Sequence, residues 1–514
     1  MKKTITLLLL LASLFCFAQN AALDPNFGSS GISVHPHPHM SEINCFAFDS
    51  NGNIVSVGSS QQGSTGTFNY QLTLTKTDSN GILDTNFGTN GKVTTIIEYS
   101  DSPLDIVVQP DDKIIVAGSA YLGPTPTGPG NWIAFAVRYN NDGSLDTSFA
   151  NNGIYRLSSS RQFVSVMVLP DGSIVLGGNS SSLTNEHLAI LVKLDNYGIE
   201  DNQFGTNGTL SLDSNNFKFI MWDAIVLSDG NIFCVGYEYS DIISHSKSAY
   251  CKISPQGNFD TSFGTNGKVV HDLFNYDPIS NITELLHTVQ ELSNGQLIVA
   301  GSEVNQFLLK INADGTLDTS FGTNGMVNHS FSSKASAMTL QPDGKIIIGG
   351  NKGVGNGNIG YTVTRFDSNG SLDTSFNNGT GFVDIDISSS NDYLQHIKLQ
   401  SADTLIIGGS SYLNSAVANF TLARVLLDTP LSIEEPLEQF VKIYPNPFEE
   451  RFFIEDYEQV IEEIKIFDNT GRLIKVISNP NQLQEIYTDF PSGLYHINIK
   501  SKDGRIMNRK VIRK

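Results

Sequence analysis

The sequence Leu-Asp-Thr-Ser-Phe-Gly-Thr-Asn-Gly at residues 317–325 decides the fold, because near copies of it recur along most of the chain. Each copy is recognised by its central phenylalanine, which recurs at steps of 55 to 62 residues. A fixed period of this length indicates an array of one supersecondary unit. The seven anchor residues are Phe27, Phe87, Phe149, Phe204, Phe263, Phe321 and Phe376.

Each unit of the array contains four candidate strands. A short apolar stretch follows the motif (strand a, as at residues 92–97), and two apolar runs then flank a Pro-Asp-Gly type turn (strands b and c, as at residues 338–350). Proline presets φ at the second turn position and glycine takes the left-handed one, so the turn is chemically specified. A last run (strand d, as at residues 307–311) leads into the next motif.

The runs in strand c do not alternate between apolar and polar residues, as residues 346–348 and 405–407 show. Such strands are covered on both faces of their sheet. Four-stranded antiparallel sheets covered on both faces stack against their neighbours, which radial packing achieves. The sequence therefore predicts an all-β fold in which residues 19–428 form a seven-bladed β-propeller, with one unit in each blade.

The two ends of the array predict how the ring closes. The first motif, at residues 23–28, has no strand d before it, and the last strand d, at residues 417–427, has no motif after it. We expect the first fragment to complete the seventh blade, which removes two open sheet edges. An open solenoid is the alternative, but it needs distinct capping repeats, and none is evident.

A cation in strand d precedes the motif aspartate by eight residues in six units, and Arg424 occupies the same place in the seventh. Two explanations stay open: the cation pairs with that aspartate, with Asp24 serving Arg424 across the closure, or it protects an exposed edge strand. The six pairs are Lys76 and Asp84, Arg138 and Asp146, Lys193 and Asp201, Lys252 and Asp260, Lys310 and Asp318, and Arg365 and Asp373.

Composition narrows the class of partner. The 514 residues carry a formal net charge of −20, and the excess of acid lies in the repeats. Because a phosphate backbone demands a basic surface, we expect no nucleic-acid partner. High glycine content with few charged residues is typical of an exported all-β protein.

The N-terminus resembles an export signal. Lys2 and Lys3 precede the apolar run at residues 5–17, and Ala18 follows it. This arrangement predicts a signal peptide over residues 1–18. A lipoprotein signal at Cys16 is the alternative, which the bulky Phe15 disfavours. No other run is long enough for a membrane helix, so we expect no transmembrane segment in the mature chain.

Candidate metal and redox residues are few. Cys45, Cys234 and Cys251 show no ligand spacing, and we expect buried thiols, although Cys234 and Cys251 fall on neighbouring strands. His35, His37 and His39 alternate with proline and could converge on a metal ion, with an ordinary loop as the alternative. The Asp-rich stretches at 78–84 and 367–373 resemble calcium loops but are better explained as turns. No catalytic signature is present, so we assign no catalytic, cofactor-binding or metal-binding residue and no cofactor.

The periodicity ends near residue 428. Residues 429–440 contain two prolines and three glutamates and are predicted to be a linker. Residues 441–514 then alternate as short strands separated by turns, with an Asn-Thr-Gly turn at residues 469–471. We expect a small immunoglobulin-like β-sandwich of about seven strands.

This last unit resembles the type A C-terminal sorting domain of the Bacteroidetes type IX secretion system. The resemblance rests on Tyr-Pro-Asn-Pro at residues 444–447, the Phe-Asp-x-x-Gly-Arg hairpin at 467–472, Gly-Leu-Tyr at 493–495 and a basic C-terminus. The seven units resemble the delta-60 repeat, a family without an assigned activity. The resemblance implies handling by the type IX secretion machinery through residues 441–514 and delivery to the outer cell surface or the medium.

Two functions remain for the propeller. It is expected to be a binding or adhesion module for an extracellular glycan or protein, or alternatively an extracellular polysaccharide hydrolase or lyase. Variable connections such as residues 119–131 are rich in Gly, Pro and Thr rather than in paired acids. This composition favours binding over catalysis.

Overall fold

The structure is a computed structural model. The residues that it describes form strands, turns and connecting segments. It describes residues 22–37, 39–61, 69–124, 131–158, 160–181, 187–213, 217–239, 246–274, 284–302, 305–329, 335–355, 358–377, 379–414, 417–427, 441–456, 461–469, 472–487, 491–502 and 506–514. The predicted signal peptide and linker lie outside these ranges. The chain divides into two compact units, residues 1–429 and 430–514.

The described part of the first unit forms seven antiparallel sheets with one plan: an inner, a second, a third and a short outer strand. The chain opens with β1 (Ala22–Leu23) and β2 (Ile32–His35). Sheet 1 contains β3 (Ser41–Phe48), β4 (Ile54–Gln61), β5 (Tyr70–Thr77) and β6 (Lys92–Thr95). Sheet 2 contains β7 (Ser100–Val108), β8 (Ile114–Tyr121), β9 (Trp132–Tyr139) and β10 (Ile154–Leu157). Sheet 3 contains β11 (Ser160–Val168), β12 (Ile174–Ser181), β13 (His187–Leu194) and β14 (Thr209–Ser211).

The same plan continues to the end of the first unit. Sheet 4 contains β15 (Phe219–Val226), β16 (Ile232–Glu238), β17 (Lys247–Ile253) and β18 (Lys268–His271). Sheet 5 contains β19 (Leu285–Glu291), β20 (Leu297–Ser302), β21 (Gln306–Ile311) and β22 (Met326–His329). Sheet 6 contains β23 (Ala335–Leu340), β24 (Ile346–Gly355), β25 (Asn358–Phe366) and β26 (Phe382–Ile385). Sheet 7 contains β27 (Asp392–Ser401), β28 (Thr404–Asn414) and β29 (Val417–Leu426), and its outer position is taken by β1 and β2.

Sheet boundaries are offset from the sequence units. Strands b, c and d of one unit form the inner, second and third strands of a sheet, but the outer strand is strand a of the following unit, as β6 shows for sheet 1. The prediction of one unit in each blade is therefore wrong by one strand. Because strand a follows the motif turn directly, the chain has already crossed to the next unit when it completes the previous sheet.

Closure of the ring is confirmed. Ala22 lies opposite Leu426 and Ile32 opposite Ala423, so the front of the described chain pairs with β29. Seven hydrophobic clusters lie between neighbouring sheets, and one of them joins sheet 7 to sheet 1 through Ile406, Phe420 and Phe46. Each of the seven sheets of the first unit is thus covered on both faces, as the apolar runs of strand c require.

The repeated motif connects one sheet to the next. Phe27 is fully buried and lies against Gly81, in the turn that follows β5, where any side chain would overlap its ring. The backbone N–H of Gly28 donates to the carbonyl of Asn80 at 2.8 Å. Gly28 has φ of 53°, a left-handed conformation that glycine adopts without strain. Ala150 and Asn377 replace this glycine in the third and seventh motifs, also at positive φ, so the contact needs a left-handed residue that is usually glycine.

The cation hypothesis is confirmed in six places and wrong in one. Arg138, Arg365 and Arg424 reach their aspartates at 2.8 to 2.9 Å, and Lys193, Lys252 and Lys310 at 3.4 to 3.5 Å. Lys76 instead contacts Asp49 at 2.9 Å, in the turn between β3 and β4. The edge-protection explanation is wrong, because strand d is the third strand of its sheet and the outer strand covers it.

The second unit contains seven described strands in two sheets around one core. One sheet has the order β30 (Val441–Tyr444), β31 (Arg451–Asp456), β34 (Leu483–Tyr487). The other has the order β33 (Leu473–Ser478), β32 (Ile461–Asp468), β35 (Gly493–Ser501), β36 (Ile506–Arg513). Phe452, Ile464 and Ile497 are buried between the two sheets. The sandwich is as predicted, whereas its immunoglobulin-like character stays a prediction.

Candidate functional site

All seven sheets together build a central channel. Residues from all seven inner strands line one cavity of about 480 Å³. These inner strands are β3, β7, β11, β15, β19, β23 and β27. Ligand sites are usually concavities of this size with a few polar groups, so the channel and its mouths are the first place to look for function.

Each inner strand carries a β-bulge at the same level of the channel. The register with the second strand shifts by one residue there, and the extra residue lines the cavity. Bulges re-aim side chains and increase local twist. The seven extra residues are Asn44, Leu104, Val164, Trp222, His287, Ser336 and Gln395.

The bulge explains why strand c contains a glycine opposite the bulged part of the inner strand. A Cβ atom placed on Gly178 would overlap the carbonyl oxygen of Gln162 on the neighbouring inner strand, and Gly58 meets Glu42 in the same way. Neither glycine requires a left-handed backbone, so the constraint is space alone. The bulged backbone approaches so closely that only a residue without a side chain fits opposite it.

Two carboxylates follow bulges and join neighbouring sheets. The Oδ2 atom of Asp105 accepts a hydrogen bond from the Val166 backbone N–H of the next sheet at 2.8 Å. The Oδ2 atom of Asp223 accepts from Val289 N–H in the same manner at 3.2 Å. Both carboxylates line the channel, yet each is engaged by backbone donors.

Sequence reasoning missed these acids, although a positional signal existed. Asp105 and Asp223 each lie five residues before the second residue of the turn that joins strands b and c, and the residues between them and the turn are mostly apolar. Across the units this position is occupied by Cys45, Asp105, Ser165, Asp223, Thr288, Ala337 and His396.

The environment of Asp223 predicts a pH-dependent stability. Burial, and then the neighbouring charge of Asp105, raise its pKa to about 7. A carboxyl whose folded pKa lies above its unfolded pKa stabilises the fold while protonated, and this contribution is lost as the pH rises from about 4 to about 7. The free energy of unfolding should therefore decline less steeply over this window in Asp223→Asn than in the wild type. Denaturant titrations at several pH values measure the two slopes, and equal slopes would contradict the assignment.

A cleft opens beside the channel at one end of the ring. We call this end, where the inner strands begin and the second strands end, the loop face. The cleft, of about 280 Å³, lies between sheets 3 and 4, and its lining includes Arg161, Gln162, Trp222 and Tyr237. Trp222 lines both the cleft and the channel.

The position of Trp222 is defined by its neighbours. Its indole is 45 % exposed and meets the His287 ring edge-on, with centroids 5.4 Å apart. The Asn179 side chain bonds to both the N–H and the C=O of Met221 at 3.0 Å, which holds β15 against sheet 3. The tryptophan therefore presents a large apolar face on a rigid strand rather than on a loop.

Other aromatic side chains lie at the same face. Tyr121 packs between Tyr99 and Trp132 in sheet 2, with centroids 6.1 and 5.3 Å away. Tyr393 and Tyr412 of sheet 7 pack edge to face at 5.6 Å. Large aromatic groups that remain partly exposed are enriched at binding surfaces.

The histidine run does not gather into a metal centre among the described residues. His35 is buried beside Ser33, and His37 lies against the ring of Phe420. Burial and then the charge of Lys92 lower the pKa of both imidazoles to about 4. No group of three or more metal-ligating side chains occurs in the part of the chain that the structure describes.

The calcium-like stretches are turns. The Oδ1 atom of Asp78 accepts hydrogen bonds from the backbone N–H groups of Asn80 and Ile82, both at 2.9 Å. Asp367 does the same for Ser371 at 2.8 Å. The carboxylates therefore close Asx turns, which explains why an aspartate recurs at this position.

The three described cysteines are buried free thiols, as predicted. Cys234 and Cys251 lie directly opposite each other on β16 and β17. The backbone groups of Lys252 point away from β16, toward Gly267 and Asp260. The backbone groups of the adjacent Cys251 therefore point toward β16, and Cys234 and Cys251 are opposite residues whose backbones are hydrogen-bonded to each other. Side chains at such pairs are farther apart than a disulfide prefers, which agrees with free thiols.

Two family models match the chain. Residues 442–514 match the secretion system C-terminal sorting domain, and residues 130–149, 292–321 and 341–376 match the domain of unknown function DUF5122, a beta-propeller. The chain therefore contains a DUF5122 β-propeller region and a type IX C-terminal sorting domain, in agreement with the resemblance to the delta-60 repeat. That domain directs export to the cell surface or the medium.

Three of the solved structures that resemble the chain illustrate a low sequence identity. A protein of unknown function from Dyadobacter fermentans is 8% identical, with a TM-score of 0.43, and the match covers 79% of this chain and 100% of that one. A fungal alcohol oxidase in complex with copper is 11% identical, with a TM-score of 0.40 and coverage of 94% and 98%. A protein of unknown function from Bacteroides caccae is 10% identical, with a TM-score of 0.34 and coverage of 68% and 94%. No curated protein matches the chain.

The described residues contain no helix that is long and apolar enough to cross a membrane.

Proposed function

We propose that the propeller is a glycan-binding module that acts on the cell surface or in the medium, and that the Trp222 cleft is its binding site. The main support for this proposal is the half-exposed indole of Trp222, which lines both the cleft and the channel. In this proposal the mature chain begins after residue 18, residues 19–428 form the binding unit, and residues 429–440 link it to the sorting domain at 441–514.

The chemistry of the cleft suits a sugar. A pyranose ring presents an apolar face of C–H groups and a rim of hydroxyls, so it needs an aromatic platform surrounded by hydrogen-bonding groups. Trp222 supplies the platform, and Arg161 and Gln162 stand beside it as polar side chains. A rigid aromatic side chain loses little conformational entropy when it binds. A protein ligand is the other binding partner that such a surface accommodates.

Catalysis is the second candidate, and one observation favours it: two carboxylates, Asp105 and Asp223, line the same channel. Glycosidases use a pair of acids with separate protonation states. Here, however, each carboxylate accepts backbone hydrogen bonds from its own strand and from the next sheet. Those bonds give both acids a structural role, so binding is the better-supported function.

Replacing Trp222 with alanine should weaken glycan binding by about tenfold or more, because loss of one stacked aromatic ring removes roughly 1.4 kcal/mol of binding free energy. A glycan array with the full-length protein identifies the ligand, and calorimetry then compares the variants. Trp132→Ala, at the loop face of sheet 2, is the matched control and should bind as the wild type does.

Three outcomes decide between the candidates. Selective loss in Trp222→Ala supports the proposed cleft, whereas equal loss in both tryptophan variants places binding elsewhere. Turnover of a polysaccharide by the wild type that is abolished in both Asp105→Asn and Asp223→Asn would make the hydrolase or lyase the correct function.

A further inference from the structure

The two sides of the sorting domain differ in how their sheet edges are protected. On one side the chain passes from β30 to β31 through residues 445–450 and covers β36. The backbone N–H of Phe448 donates to the carbonyl of Ile512 at 2.8 Å, and Lys514 N–H donates to Phe448 at 2.9 Å. The side chain of Asn446 accepts from Ile512 N–H at 3.0 Å. The Tyr-Pro-Asn-Pro motif thus closes this edge.

The opposite edge, at β33, is open among the described residues. Asn479 N–H donates to Glu462 on β32, so the alternate residues Ile477 and Lys475 face the same way. The backbone groups of Val476 and Ser478 therefore point away from the sheet. No described residue forms a hydrogen bond with those outward groups.

The open side also displays apolar side chains. Leu473 and Val476 on β33 are 48 % and 44 % exposed, and Leu483 and Tyr487 on β34 are more exposed still. β34 is itself an edge strand, and a short connection joins it to β33, so both open edges lie on one side of the sandwich. β33 carries one charged side chain, that of Lys475, and no proline. An edge strand that exposes apolar side chains is a template for strand pairing, and soluble proteins commonly block such edges with charge or proline.

We propose that β33 is the docking edge of the sorting domain, and that a strand from a component of the type IX export machinery pairs with it. The occupant follows from the domain's match to a sorting domain, which must be recognised by that machinery. Strand addition takes its affinity from main-chain hydrogen bonds and its specificity from alternate side-chain pockets. The outward groups of Val476 and Ser478 supply the bonds, and Leu473 and Val476 supply the apolar contacts.

The test is export of the full-length chain from cells that have a type IX system. The double variant Leu473→Lys, Val476→Lys places two ammonium groups on the docking edge, and we expect at least about a tenfold fall in the surface and secreted fraction, a change equivalent to 1.4 kcal/mol. The matched control is Ile512→Lys, which makes the same apolar-to-lysine change at 46 % exposure on the covered edge. Normal export of the double variant, or equal loss in the control, would overturn the proposal.

A second variant separates docking from folding. Ser478→Pro removes one outward N–H without adding charge, and proline is tolerated on an edge strand where its nitrogen faces solvent. Export should fall while thermal unfolding of the purified chain stays unchanged; unchanged export would contradict the proposal. Gel filtration tests the other occupant: a wild-type dimer that Val476→Lys dissociates would show that β33 pairs with a second copy instead. None of these results depends on the ligand of the propeller.

Discussion

Replacing Arg424 with alanine is expected to lower the free energy of unfolding by about 3–5 kcal/mol, because it leaves the carboxylate of Asp24 buried and unpaired. The guanidinium contacts Asp24 at 2.9 Å and donates to the Ser79 carbonyl at 2.8 Å, and it lies over the ring of Phe27. Both side chains of the pair are only about a tenth exposed. One residue therefore joins the last strand, the first motif and the following sheet.

Arg156→Ala is the matched control. Arg156 contacts Glu98 at 3.0 Å, almost the same distance, but the two side chains are 35 % and 28 % exposed. Exposed pairs contribute about 0–1 kcal/mol, so this variant should remain close to the wild type. Equilibrium denaturation of the full chain measures both. If the two variants lose equal stability, the pair of Arg424 and Asp24 stabilises the fold no more than an exposed ion pair does.

Replacing Gly178 with alanine is expected to cost about 1–3 kcal/mol or more, because the new methyl group overlaps a backbone carbonyl that cannot move without breaking the bulge. The obstructing atom is the Gln162 oxygen on β11. The same conflict recurs at Gly58 and Gly236, where the obstructing oxygens belong to Glu42 and Ile220. The variant should also disturb the channel, since the bulge positions the residues that line it.

The neighbouring Gly177 provides the control. A Cβ atom there meets the terminal methyl of Met221 at 2.7 Å, and a flexible methionine side chain can turn away. Gly177→Ala should therefore cost clearly less than Gly178→Ala, although both lie on β12. Thermal unfolding of the two variants decides the point. A larger loss in Gly177→Ala would show that the bulge backbone yields more easily than the side chain.

Several features of the fold follow from the sequence because their causes are local. The turns between strands b and c commonly place glycine at the left-handed position, and most motifs have a left-handed glycine such as Gly28. Uninterrupted apolar runs such as residues 346–348 require cover on both faces. The pairing of Arg424 with Asp24 was one of the two explanations that the sequence left open, since six complete units show the spacing that the two ends of the array share.

Other features could not be predicted because they depend on the distance between strands remote in sequence. Nothing near Lys76 indicates that its nearest aspartate is Asp49 rather than Asp84. The role of Asp105 depends on where the Val166 amide of the next sheet lies. The Trp222 cleft is formed by two sheets, so its lining residues come from four separate strands.

The sequence by itself determined the repeat, the antiparallel sheets, the closure of the ring and the sorting domain, because period, turn chemistry and motif spacing are properties of short stretches. Only the tertiary structure decided the offset of one strand between unit and sheet, the bulges that line the channel, and the open edge at β33. Each of these depends on which backbone groups find partners across the molecule. That pairing is settled by packing, which a linear pattern does not record.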